Sequence, residues 1–250
     1  MPRYFLEISY KGTNYSGFQV QKNAKTVQSE IELALQVLYR QHFNLTGSSR
    51  TDAGVHALQN FFHFDTDIHL TQKEVYNLNA ILPPDIAAKA FYIVSNDAHS
   101  RFGAVAREYR YYIYDKKNPL LTDRAWYYPF SINHEILQQT AGIIKEHNDF
   151  KSFSKQNTQV NNYNCNIIHS YWQQQPDCII YNVKANRFLR GMVRALVSSM
   201  LKTARGNATL QQFNSLLNNP QQSSADFSAP AHGLFLVSVQ YPLHYMRLID

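Results

Sequence analysis

The same order of hydrophobic periodicities occurs twice along the chain. This repetition limits the possible folds more than any other feature. In the first half, alternating apolar residues indicate strands, and apolar residues at helical spacing indicate helices between them. The predicted elements are a strand over 4–10, a helix over 27–38 capped by Thr26, strands over 43–48 and 58–66, a helix over 71–82 and a strand over 86–94. This is the βαββαβ order of a ferredoxin-like fold.

The second half repeats this order with different residues. The predicted elements are a strand over 108–115, a helix over 133–147, strands over 165–174 and 178–187, helices over 190–205 and 209–217, and a strand over 233–241. The two middle strands flank Pro176-Asp177 as a hairpin, so Cys165 and Cys178 should not bond to each other. We therefore predict an α+β fold of two ferredoxin-like βαββαβ halves, residues 1–104 and 105–250. Each half should have an antiparallel sheet with helices on one face, and the active cleft should lie between them.

Length and composition favour a globular chain with a substantial core, since 44% of its 250 residues are hydrophobic. Glu7 interrupts the first apolar residues at once, which argues against a signal peptide. No apolar run approaches the roughly 20 residues that a membrane span needs. Two cysteines without an export signal indicate reduced thiols. These features predict a cytoplasmic protein that does not enter a membrane.

The formal net charge of +6 is unevenly distributed along the chain. From Cys178 through Ala225 there is no Asp or Glu. The same stretch carries Lys184, Arg187, Arg190, Arg194, Lys202 and Arg205. Arg187, Arg190 and Arg194 are spaced three and four residues apart, which predicts one shared helical face. Such a field suits phosphate binding, and the alternative is a solvated basic helix face.

A turn-rich segment, residues 49–56, lies between the second and third predicted strands. By themselves, Asp52, Ala53 and Gly54 are compatible with an ordinary turn in which the glycine takes a positive φ. However, Arg50 stands two residues before Asp52, on a loop that two strands hold. Charged residues presented in this way favour a functional site.

Residues 50–56, Arg-Thr-Asp-Ala-Gly-Val-His, resemble the signature of the tRNA pseudouridine synthase A family. Further blocks resemble this family in the same order: residues 10–19, 99–102, 107–111, 148–153, 192–194 and 233–236. The resemblance implies two ferredoxin-like halves and an isomerase that converts uridine to pseudouridine at positions 38, 39 and 40 of tRNA, in the anticodon stem and loop. It also implies a homodimer that needs no cofactor and no metal.

The resemblance assigns roles within the active site. It makes Asp52 the catalytic carboxylate, which could attack the sugar, add to the uracil ring or remove a sugar proton. It makes Arg50 the residue that helps to open the site and hold the displaced nucleotide. Tyr109 would stack on the uracil, Leu234 would form an apolar wall, and Arg194 would pair with Asp52.

The resemblance also assigns residues that bind RNA outside the active site. His99, Arg101 and Phe102 match a segment that touches tRNA, and Arg187 and Arg190 are left for phosphate contacts. The remaining histidines have no ligand spacing, which agrees with the absence of a metal site.

The sequence departs from the family at Ser49, where glycine is usual, and in 155–164, where Asn and Gln replace the usual arginines. The second departure leaves the set of target uridines open. The leading alternative is a non-catalytic RNA-binding protein made of two RRM-like sheets. Such sheets need a Lys/Arg-Gly-aromatic pattern, of which the chain has no good copy, and that alternative leaves the Arg50-Thr51-Asp52 loop unexplained.

Overall fold

The computed structural model describes residues 1–155, 162–220 and 225–249. The chain forms two compact units, one of Met1–Ala106 with Phe235–Asp250 and the other of Arg107–Leu234. Strands and helices alternate in both, so the predicted α+β class is confirmed. No helix among the described residues is long and apolar enough to cross a membrane.

The first unit contains the first βαββαβ order. Its elements are β1 (Arg3–Tyr10), α1 (Val27–Tyr39), β2 (Thr46–Gly47), β3 (His56–Asp65), α2 (Lys73–Ile81) and β4 (Ile86–Val94). The strands lie in the order β4-β1-β3-β2, and all neighbours are antiparallel. The predicted cap of α1 is confirmed, because the side chain of Thr26 accepts a hydrogen bond from the Ser29 N–H at 3.1 Å.

The strand β2 is much shorter than the predicted 43–48. Phe43 and Leu45 are buried, so their apolar character reflects core packing rather than membership of a strand. After β2 the chain leaves the ladder, although the Ser48 N–H still donates to the Phe61 carbonyl at 2.8 Å. The chain then enters the loop that carries Asp52.

The second unit contains the next elements. They are β5 (Ala106–Tyr114), β6 (Trp126–Tyr127), α3 (His134–Lys145), β7 (Ile167–Gln174), β8 (Ile179–Ala185), α4 (Met192–Ala204) and α5 (Leu210–Asn218). Strand β8 lies between β5 and β7 and is antiparallel to both. The hairpin between β7 and β8 is confirmed, since the Gln175 N–H donates to the Cys178 carbonyl at 2.9 Å. Both cysteines are free, as predicted.

The C-terminal strands correct the predicted division into 1–104 and 105–250. They are β9 (Leu234–Gln240) and β10 (Arg247–Leu248). Strand β9 runs parallel to β3, with His56 opposite Phe235, and β10 pairs with β4. Tyr241 packs its ring 5.4 Å from that of Phe5. Residues 235–249 therefore belong to the first unit, because β9 and β10 pair with β3 and β4 and Tyr241 packs on Phe5.

Candidate active site

Asp52 stands at the start of a tight turn just before β3. The Val55 N–H donates to the Asp52 carbonyl at 3.2 Å, and Gly54 takes a φ of 79°. A glycine at this position allows the turn to close without steric cost. The Asp52 side chain is half-buried, whereas Arg50 is exposed. The turn thus places a carboxylate at the edge of the fold with an arginine close by in the chain.

A buried hydrogen-bond network holds the backbone around Arg50. The hydroxyl oxygens of Tyr10 and Thr51 are 2.7 Å apart. The Asn60 side-chain amide donates to the Ser49 carbonyl at 2.9 Å and lies 3.3 Å from the Tyr10 hydroxyl. All four residues are buried. Sequence reasoning assigned no role to Tyr10 or Asn60, although a polar Asn60 before Phe61 in an apolar strand was a usable signal.

The residues after β1 support the same loop from another side. The Phe18 N–H donates to the Thr51 carbonyl at 3.1 Å, and the Gly12 N–H donates to Nδ1 of His56 at 3.0 Å. A Cβ on Gly12 would lie 2.0 Å from the Val55 carbonyl oxygen, so only glycine permits this approach. The block 10–19 therefore shapes the turn of Asp52.

Ser49 fits this loop without strain. Its φ is not among the positive values of the described residues, so the loop does not require the usual glycine there.

Four residues predicted to bind substrate or RNA line one surface pocket of the first unit, about 250 Å³ in volume. These are Arg50, His99, Arg101 and Phe102, and the rest of the lining is Phe18, Gln19, Gln28, Leu45, Thr46 and Gly47. The Phe102 ring is 75% exposed. The Arg101 guanidinium lies 5.5 Å from its centroid, and the His99 ring centroid lies 4.4 Å from it. Three of the predicted RNA contacts, His99, Arg101 and Phe102, thus share one pocket with Arg50.

The segment that carries these residues is fixed to the sheet from behind. Nδ1 of His63 accepts the Ser100 N–H at 3.2 Å, and the Tyr241 hydroxyl donates to the Ser100 carbonyl at 2.6 Å. Burial, aided by the nearby charges of His99 and Arg3, lowers the pKa of His63 to about 4. A neutral His63 can keep Nδ1 as an acceptor, which the bond from Ser100 requires.

Tyr109 lies on β5 in the second unit. It is buried, and its ring packs edge-on against that of Phe188 with centroids 5.0 Å apart. Tyr111 shares its face of the strand and is also buried. The edge-on contact restricts the plane of the Tyr109 ring.

Leu234 is buried where β9 begins. The Tyr111 hydroxyl donates to the Pro230 carbonyl at 2.7 Å, and burial raises the pKa of Tyr111. A Cβ on Gly233 would lie 2.7 Å from the Tyr111 ring. The close approach of Gly233 to this ring fixes the backbone from which Leu234 projects.

Arg194 stands in the first turn of α4 and is half-buried. Its Nε donates to the Ala229 carbonyl at 2.6 Å, and the Ala229 N–H donates to Oγ of Ser198 at 2.7 Å. Ser198 is buried one turn further along the helix. The backbone of Ala229 therefore links the two side chains and orients the guanidinium.

The prediction that Arg187, Arg190 and Arg194 share a helical face is wrong. Helix α4 begins at Met192, and Gly191 before it takes a φ of 75°. This left-handed residue ends any helical continuity, so Arg187 and Arg190 lie in the loop after β8. Arg187 is half-buried and Arg190 is exposed.

The predicted site residues thus fall into two groups. The first unit carries Arg50, Asp52, His99, Arg101 and Phe102, and the second carries Tyr109, Arg187, Arg190, Arg194 and Leu234. The pairing of Arg194 with Asp52 stays a prediction. Most of the Asn- and Gln-rich segment lies outside the described residues.

No metal-binding group of three or more His, Cys, Asp or Glu is found in the described part of the chain. That the reaction needs no metal and no cofactor stays a prediction.

Comparison with known proteins identifies the family. The chain matches the family model of tRNA pseudouridine synthase over residues 8–102 and 147–242. The tRNA pseudouridine synthase A of Parabacteroides distasonis is 39% identical over 248 residues, 97% of each chain. The enzyme of that name from Bacteroides thetaiotaomicron is 39% identical over 246 residues, 97% of this chain and 91% of the relative. The one from Staphylococcus aureus strain MRSA252 is 33% identical over 240 residues, which are 95% of this chain and 91% of the relative.

The matched segments include the loop of Asp52 and the helix of Arg194, whereas Tyr109 lies between them. The match spans most of both units and includes Asp52 and every residue that lines the pocket of Arg50. The chain belongs to the tRNA pseudouridine synthase family.

Proposed function

We propose that this protein isomerises uridine to pseudouridine at positions 38, 39 and 40 of tRNA, in the anticodon stem and loop. The observation that carries the proposal is the Arg50-Thr51-Asp52 loop, which buried bonds from Tyr10 and Asn60 hold around a half-buried carboxylate. A scaffold that fixes a reactive group in this way is what catalysis requires. A non-catalytic RNA-binding protein would have no use for it.

The reaction rearranges bonds within one nucleotide. The bond from the anomeric carbon to N1 of uracil breaks, the ring turns, and the anomeric carbon bonds to C5. The proton lost from C5 is balanced by one gained at N1, so nothing is oxidised or reduced. Asp52 attacks the sugar, adds to the ring or removes a sugar proton, and each route uses its ionised form. A glycosidase would instead use two carboxylates.

The other site residues bind and orient the nucleotide. A base in a stem must leave the stack, which costs a few kcal/mol, and Arg50 compensates by contacting the vacated position. Tyr109 stacks on the uracil, which contributes about 1–3 kcal/mol, and Leu234 forms the apolar wall. Arg194 pairs with Asp52 and orients the carboxylate.

The proposal extends to the state of the protein in the cell. We expect a cytoplasmic homodimer that works on tRNA without a cofactor or a metal. The family match supports tRNA as the substrate.

The test compares Asp52→Asn with the wild type on unmodified tRNA, with pseudouridine mapped at each position. Asp52→Asn keeps the size of the side chain and removes its charge, so we expect no turnover and nearly unchanged tRNA binding. Asp67→Asn, which changes an exposed carboxylate of the same unit, is the control and should keep full activity. Turnover by purified Asp52→Asn would refute the assignment. Pseudouridine outside positions 38–40 would refute the proposed specificity.

A further inference from the structure

The pocket lined by Arg50, His99, Arg101 and Phe102, here called the Phe102 pocket, is distinct from the position of the catalytic carboxylate. Asp52 is not part of its lining. Asp52 instead begins the turn two residues beyond Arg50. A uracil that reacts at Asp52 therefore leaves the Phe102 pocket available for another group.

The Phe102 ring is exposed but held in place. An aromatic ring that is 75% exposed gains little stability from burial, so its position calls for another explanation. The backbone N–H groups of Arg101 and Phe102 both point to Nδ1 of His99, at 3.1 and 3.4 Å. This compact turn carries the ring, so little conformational entropy is lost when a flat group stacks on it.

The chemistry of the pocket selects a nucleobase. Unpaired bases stack on aromatic rings and on Arg guanidinium planes, and Phe102 and Arg101 supply both. Arg50 and Arg101 supply positive charge for the adjoining phosphates. Gln19 at the exposed rim adds an amide that can bond to a base edge.

The size of the pocket is consistent with this group. Its volume of about 250 Å³ is below the roughly 300–1,000 Å³ of pockets for drug-sized ligands, so it suits one base better than a larger ligand.

We propose that the Phe102 pocket is a subsite for one unpaired nucleobase of the tRNA, a few nucleotides from the uridine that reacts. Arg50 lines the pocket and stands two residues before Asp52. Two residues of chain span at most about 7 Å, so a short piece of RNA can reach from the pocket to the catalytic turn. This inference rests on the proposed function, because it takes tRNA as the ligand. The anticodon loop offers unpaired bases next to positions 38–40.

The experiment uses anticodon stem-loop RNAs, each with one abasic nucleotide, and measures their dissociation constants by fluorescence anisotropy. We expect Phe102→Ala to weaken binding of the intact RNA about 5- to 150-fold, the range that loss of one stacked base gives. Tyr76→Ala is the matched control, because the Tyr76 ring is 78% exposed on α2 and does not line the pocket. It should bind like the wild type. For one loop position, the abasic RNA should bind the wild type as weakly as intact RNA binds Phe102→Ala. Phe102→Ala and this abasic RNA, tested together, should weaken binding no more than either change does alone.

Additive losses at every abasic position, or unchanged binding by Phe102→Ala, would overturn the inference. Turnover of the intact stem-loop by the wild type is measured in parallel and decides the proposed function separately. Turnover with additive losses refutes only the subsite. Non-additive losses without turnover support the subsite and refute the proposed function.

Discussion

Tyr10 and Thr51 share a buried hydroxyl contact of 2.7 Å, and Asn60 joins it from β3. Together these residues fix the backbone next to Asp52. Buried polar groups such as these are costly to leave unpaired, so the network specifies one loop conformation.

We predict that Tyr10→Phe lowers kcat about 10- to 100-fold while the KM for tRNA changes less. Removing the hydroxyl leaves Thr51 and Asn60 without one partner, costs about 1–3 kcal/mol of stability and lets the carboxylate shift. Steady-state kinetics well below the unfolding temperature measure the effect.

The control for this prediction is Tyr92→Phe. It removes a hydroxyl that donates to Glu7 at 2.7 Å, in the same unit but away from the loop. Comparable loss of stability without loss of kcat is expected. A Tyr10→Phe enzyme with wild-type kcat would show that the network serves folding alone.

At the scale of elements, the segment 98–103 depends on β3 through His63. The folded-state pKa of His63 is about 4, below its ordinary value of 6.5, because burial disfavours the charged ring. Between these two values the unfolded chain binds more protons than the folded one. The stability from a neutral His63 is therefore fully present above about pH 6.5 and is lost as the pH falls towards 4.

We predict that His63→Asn makes unfolding less dependent on pH over this window. Asparagine offers an acceptor near the position of Nδ1 and does not titrate. Between about pH 7 and 4.5 the free energy of unfolding should fall more for the wild type than for the variant. The difference between the two falls should be about 2 kcal/mol or less. Urea denaturation at several pH values measures this.

His42→Asn changes an exposed histidine of the same unit and is the control. It should leave the pH dependence of the wild type in place. Equal pH dependence in wild type and His63→Asn would contradict a neutral, buried His63.

At the scale of the whole molecule, the charge pattern favours a polyanion as partner. The net charge is +6, and residues 178–225 hold no carboxylate side chain. Arg187 and Arg190 belong to this stretch, in the loop before α4. Binding of such a surface to RNA releases counterions and weakens as salt rises.

We predict that Arg190→Ala weakens binding of all tRNAs to a similar extent. It should flatten the log–log dependence of affinity on salt by roughly one unit or less, since one phosphate contact is lost. Arg187→Ala should behave in the same way. Filter binding at several salt concentrations measures both slopes.

Lys117→Ala removes one exposed charge from the loop after β5 and serves as the control. Its salt slope should stay close to that of the wild type. An Arg190→Ala protein that modified a different uridine with an unchanged slope would exclude a phosphate role.

The sequence by itself determined the order of the longer elements and the location of the turn that carries Asp52. Helical stripes, strand alternation and the Thr26 cap depend on residues only a few positions apart, so they can be recognised without a fold. The turn of Asp52 and Gly54 is equally local. Where a left-handed glycine interrupts such a pattern, as at Gly191, the local prediction was wrong by two residues and misplaced Arg187 and Arg190.

Only the tertiary structure decided which distant residues meet. Tyr10, Thr51 and Asn60 come together because β1 and β3 pair in one particular register, and Arg50 joins His99 and Phe102 because the segment after β4 packs against the same sheet. Residues 235–249 belong to the first unit because β9 pairs in parallel with β3. Strand order and register are set by packing over the whole unit, which alternation within a single strand does not encode.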